Sequence, residues 1–113
     1  MINFLRLNHV QICIPKNKEN EAKNFYANIL GLKQIERPEV LKHRGGLWFE
    51  IADIQLHIGS EENMAKSKRH PAFEVKNIKS VKNYLEKITL KLKKKLKYQE
   101  WLGFLFLTLL ITK

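Results

Sequence analysis

Cysteine is nearly absent: Cys13 stands alone among 113 residues. A single thiol excludes a disulfide framework and any cysteine-rich zinc module, and it fits a reducing cytoplasm. No uninterrupted apolar core of a secretory leader is present either, because Arg6, Asn8, His9 and Gln11 break up the opening stretch. The longest apolar-rich run, 101–111, is far shorter than the roughly 20 residues that a bilayer-spanning helix needs. Acidic residues are scarce, with 11 Asp and Glu against 21 Lys and Arg, for a net charge of +10. What remains is ordinary globular usage, 44% hydrophobic and 28% charged, which excludes disordered and collagen-like chains. A chain of this length has room for one domain with one core.

A charge of +10 ordinarily suggests nucleic acid or anionic lipid. Its location argues otherwise. Residues 91–113 carry six lysines and one glutamate, half the net charge in the last fifth of the chain. Elsewhere the signs are mixed. The basic character is appended to the fold rather than woven through it, so no nucleic-acid partner is expected. A membrane partner enters only as a tail anchor, with basic residues ahead of an apolar plug.

Alternation over 7–14 sets Val10, Ile12 and Ile14 against His9, Gln11 and Cys13, the pattern of a half-buried strand ended by Pro15. Ala22, Phe25, Tyr26, Ile29 and Leu30 then recur at helical spacing, and Gly31 supplies a stop. Short strands are expected over 32–36, 47–51 and 54–59, with Gly45 and Gly46 opening the second and Ala52-Asp53 turning it into the third. A polar linker occupies 60–69. A strand over 70–75 and a helix over 78–88, with Ile78, Val81, Leu85 and Ile88 on one face, follow it. The order is βαβββ, a linker, then βα: a second copy of the unit begins and does not finish. Such a repeat implies that the two copies pair.

Strand parity gathers the chemistry. His9 and Gln11, Trp48 and Glu50, Gln55 and His57, and His70 and Glu74 each oppose an apolar face within their own strand. If the sheet curls, these groups converge in one concavity. Imidazole with carboxylate or amide oxygen suits Zn, Ni, Fe or Mn. No local spacing of the HExxH kind supports a metal, and a half-buried, hydrogen-bonded strand histidine is the alternative at each position. Glu50 is the candidate general base, against a solvated strand carboxylate. Arg37 and Arg44 flank the glycine pair and are candidates for holding an anionic group, against plain surface arginines. Trp48 is a candidate stacking platform, with Gln11 beside it as a substrate contact. His43 reads as surface, and Cys13 as a buried, unactivated thiol.

LNHVQI, FYANILGLK, GGLWFEIADIQLHIG and RHPAFEV together resemble the vicinal oxygen chelate superfamily, which holds glyoxalase I, fosfomycin and bleomycin resistance proteins and extradiol dioxygenases. The resemblance covers about residues 5–90. It implies an α+β fold of paired βαβββ modules in a cupped mixed sheet, with the first module at about 5–59 and an incomplete second at about 70–90. It implies a divalent metal on strand residues, with His9, His57 and His70 in the matching positions. The family's further ligand, a Glu on the last strand, has no counterpart here. It also implies a metal-dependent enzyme acting on a small molecule, of lyase or isomerase, thiol-transferase or dioxygenase type. One complete βαβββ unit would leave a sheet edge and an apolar face uncovered, so a homodimer is expected, and the lone Cys13 points to the cytoplasm. The altered C-terminus is expected to leave such an enzyme inactive or weakly active. The alternative is a metal-free, bleomycin-resistance-type protein that binds a drug or metabolite.

Residues 91–113 fit neither period and read as a tail outside the fold, produced by a frameshift near 90–93. Synonymous codons for them permit a neighbouring frame reading IKEETEIPGMARFSFFDPFDNK, whose PGMARFSFFDPFDN resembles the superfamily's closing strands. The nucleotide sequence across codons 85–113 decides between a frameshift and a genuine tail.

Overall fold

The computed structural model describes residues 1–62, 69–92 and 111–112, in two compact units, 1–67 and 68–113. In the first unit the alternating stretch forms strand β1 (His9–Pro15). Helix α1 (Glu19–Lys23) follows and continues without a break into wider turns over Asn24–Ile29. There Leu30 N–H donates to the Phe25 carbonyl at 2.8 Å, an i→i+5 bond. The wider turn rotates the apolar stripe. Ala22, Phe25 and Tyr26 are buried, whereas Ile29 and Leu30, which the 3.6-residue period puts with them, are only half-buried.

Gly31 ends the helix at φ +74° with open space where a Cβ would sit. β2 (Lys33–Ile35), β3 (Leu47–Ile51) and β4 (Ile54–Glu61) complete the unit. A 3₁₀ segment, Glu39–Arg44, which no periodicity announces, lies between β2 and β3. The strand order is β1-β4-β3-β2, with β1 and β4 parallel and the other neighbours antiparallel. This is one βαβββ unit of an α+β fold.

Register explains where the core sits. Phe49 pairs with Leu56, Ile12 with Ile58 and Ile14 with Ser60, so these side chains share a sheet face. Phe49, Leu56, Ile58 and Ile14 are buried together with Phe25 and Tyr26. Tyr26 meets Phe25 edge-on at 5.2 Å and Phe49 at 5.7 Å. Burial also pushes the Tyr26 phenol far above its ordinary pKa of 10, so it stays neutral.

The second unit holds β5 (Glu74–Val75), α2 (Ile78–Leu92) and β6 (Ile111–Thr112), with β5 and β6 parallel. β5 is shorter than the expected 70–75. Pro71 has no N–H to give a ladder, and His70 accordingly precedes the strand rather than belonging to it. Asn77 starts α2, its Oδ1 accepting from Ser80 N–H at 3.1 Å. Leu85 is buried and Ile78, Val81 and Ile88 are half-buried, which is the expected face. The helix runs past residue 88 because no glycine or proline follows before Gly103. Among the described residues no helix is long and apolar enough to cross a membrane. Most of the expected linker (63–68) and of the tail (93–110 and 113) lies outside the described residues.

Candidate functional site

Opposite the core face, the first sheet carries two rows of polar and aromatic side chains. One row runs Lys33, Glu50, Gln55, His9 across the four strands, because Lys33 pairs with Glu50, Glu50 with Gln55 and His9 with Gln55. The next runs Ile35, Trp48, His57, Gln11. The parities expected of His9, Gln11, Trp48, Glu50 and His57 therefore converge on one face. Gly59 then pairs with Cys13, and a Cβ on Gly59 would lie 3.0 Å from Gln11 Nε2, so the missing side chain makes room for that amide.

His57 sits at the centre of three stacked rings. Trp48 lies on one side, with centroids 3.9 Å apart and planes 5° from parallel. His9 is also stacked on it, at 4.1 Å and 15°. His57 is only 5% exposed, and its Nε2–H donates to Gln55 Oε1 at 2.9 Å. The exposed His9 ring donates from Nδ1 to Asn8 Oδ1 at 2.9 Å. That donation leaves the Nε2 lone pair available.

Burial, and secondarily the charge of His9, holds the His57 pKa below its ordinary 6.5. The folded protein thus resists protonation that the unfolded chain accepts near 6.5. The stability contributed by neutral His57 is complete above that pH and is lost as pH falls through the lower folded value. Urea midpoints of the wild type are expected to drop between about pH 7.5 and about pH 5, and the drop should shrink in His57→Phe.

Glu50 is exposed, and with Asn8, Gln55, Arg6 and Asp53 it lines a cavity of about 200 Å³. Trp48 borders a larger one of about 490 Å³, shared with Gln34, Ile35, Arg37 and Lys42. Arg37 lines that space but is occupied, donating to the carbonyls of Leu41, Lys42 and Gly45. Its guanidinium fastens the 3₁₀ segment rather than waiting for an anion. Arg44 and His43 are exposed at the end of that segment. The Cys13 thiol is half-buried, and burial together with the Glu61 carboxylate raises its pKa, which disfavours the nucleophilic thiolate.

His70 is exposed in the second unit, ahead of β5, and Glu74 is exposed within it. Among the described residues no three His, Cys, Asp or Glu side chains form a ready metal cage. Strand parity places Gln55 on this face, but no sequence signal marks it or Asn8 as the partner that fixes an imidazole. Both sit within two residues of the histidine they contact.

Residues 6–105 match the family model described as Glyoxalase/Bleomycin resistance protein/Dioxygenase superfamily. A solved glyoxalase family protein from Bacillus anthracis is 43% identical over 77% of this chain and 73% of its own, with a TM-score of 0.69. A glyoxalase family protein from Enterococcus faecalis is 25% identical over 74% and 72% of the two chains, with a TM-score of 0.56. The genomically encoded fosfomycin resistance protein of Listeria monocytogenes shares the fold, at 22% identity over 80% and 66% and a TM-score of 0.53. No curated protein matches the chain.

Proposed function

The chain belongs to the glyoxalase/bleomycin resistance protein/dioxygenase superfamily, and from that premise we propose that it is a metal-dependent protein of glyoxalase type. It acts on a small oxygen-bearing molecule at the open face of its first sheet. The observation that carries this is the state of His9, an exposed imidazole whose Nδ1–H is fixed by Asn8 and whose Nε2 lone pair is left over. Metal-binding histidines ordinarily have just such a partner on the other ring nitrogen. An imidazole of this kind fits a borderline divalent ion such as Zn, Ni, Fe or Mn.

When bound, such an ion polarises substrate oxygens as a Lewis acid. His9 would hold it; His70, the other imidazole that the resemblance nominates, belongs to the second unit. Glu50, in the same row as His9, takes up and returns a proton. The amide of Gln11 and the flat face of Trp48 orient the substrate, and Arg44 meets an anionic group on it. Cytoplasmic placement draws support from the half-buried free thiol of Cys13. Assembly as a homodimer draws support from exposed apolar Ile2, Phe4, Leu5 and Leu7, which precede β1, an edge strand of the first unit's sheet.

Calorimetric titration with Zn, Ni and Mn tests the metal reading. The wild type is expected to bind one of them, and His9→Ala to bind it more than about tenfold more weakly. Identical isotherms would end it. A wild type that takes up no metal would leave the metal-free binding protein as the better description.

A further inference from the structure

We infer that His57 is a positioning residue for His9 and not itself a ligand, an assignment that deepens the metal reading of the same site. Two imidazoles that share one ion must aim their lone pairs at one point, about 2.0–2.1 Å from each nitrogen. The His9 and His57 rings are stacked, 15° from parallel with centroids 4.1 Å apart, so their lone pairs run side by side and do not meet. An ion in the plane of one ring is out of the plane of the other.

The other contacts of His57 point the same way. Its Nε2–H donates to Gln55 Oε1 at 2.9 Å, which takes Nε2 away from a metal and leaves Nδ1, within a buried ring, as its one lone pair. Its far face is covered by Trp48 at 3.9 Å, and the residue is 5% exposed. Trp48 and Gln55 thus fix the His57 ring, and the His57 ring fixes the plane of His9. His9 by contrast is exposed, with one nitrogen tied to Asn8 and the other free to bind. The stack limits rotation of His9 about its side-chain bonds, which lowers the ordering that metal binding must supply. What the site requires at position 57 is a flat, packed ring rather than a donor nitrogen.

Histidine-labelled protein, observed through its ring ¹⁵N shifts with and without Zn, tests this directly. On adding Zn, His9 Nε2 is expected to move and both nitrogens of His57 to keep their metal-free shifts. In the variants, His57→Ala should weaken Zn binding about tenfold, as loss of a ligand's supporting partner does. His57→Phe, a flat ring with no lone pair, should restore most of the affinity. Without metal, His9 ring protons should show an aromatic ring-current shift in the wild type and in His57→Phe that is lost in His57→Ala.

A Zn-induced shift at His57 comparable to that at His9 would overturn the assignment. So would His57→Phe binding as poorly as His57→Ala, or His9 shifts that are identical in all three metal-free proteins. If His9 ignores Zn while its metal-free shifts still follow residue 57, the positioning role stands and the metal reading fails. The wild-type measurements require no variant to fold.

Discussion

Phe49→Ala is expected to destabilise the first unit by about 3–5 kcal/mol, most of the stability that a small domain possesses. Phe49 is fully buried on an interior strand, pairs with Leu56 and lies against Tyr26 at 5.7 Å. Removing the ring takes away apolar burial and leaves a cavity that β3, held on both sides by β2 and β4, is poorly placed to close. The consequence reaches the opposite face, since Trp48 and Glu50 flank Phe49 in the chain. Urea unfolding followed by circular dichroism checks it. Phe49→Leu should be milder, because it keeps most of the volume and all of the apolar character.

Gly46→Ala ranks next, at on the order of 3 kcal/mol. Gly46 has φ +102°, a backbone conformation that side chains rarely adopt, and an added Cβ would lie 2.5 Å from the carbonyl oxygen of Ile58. That oxygen is backbone in β4, so it cannot swing aside. The Gly46 N–H is also held by Glu19 Oε1 at 3.1 Å, which ties this corner to the start of α1. Relief therefore means opening the end of β3 next to Leu47, and with it the support beneath Trp48 and His57. Gly31→Ala is the control. It shares a positive φ of +74°, with nothing within 4 Å of the added Cβ. Only the conformational penalty remains there, about 1 kcal/mol. Equal midpoints for the two variants would show that contact with Ile58 is not what demands glycine at position 46.

Period-two patterns were legible because register preserves them. Once β1, β3 and β4 align, the residues opposite Val10, Phe49 and Leu56 necessarily share the open face. The helix was legible in existence but not in pitch, since nothing in NFYANI signals that the turn widens. The 3₁₀ segment over Glu39–Arg44 has no apolar stripe to announce it; Pro38 ahead of it and the carbonyls gathered by Arg37 define it instead. Alternation over 70–75 suggests a longer strand than β5 because it takes no account of Pro71, which has no N–H for a ladder.

The candidate site shows the same division. That His9, His57, Trp48 and Glu50 lie together follows from parity, and the family that the motifs resemble is the one whose model matches the chain. That two of the imidazoles stack does not follow from parity. It depends on Trp48 pairing with His57 and Gln11 with His57, which brings three rings from three strands into contact. Cross-strand register of this kind has no local spacing to reveal it.

The central claim is that His9, on the open face of the first sheet, is where the metal binds. An anomalous-scattering map from crystals grown with Zn or Mn tests it most directly. The expected result is one strong peak about 2.0–2.2 Å from His9 Nε2, in the plane of that ring and out of reach of His57. A peak on other side chains with His9 bare, or no peak at saturating metal, would contradict it.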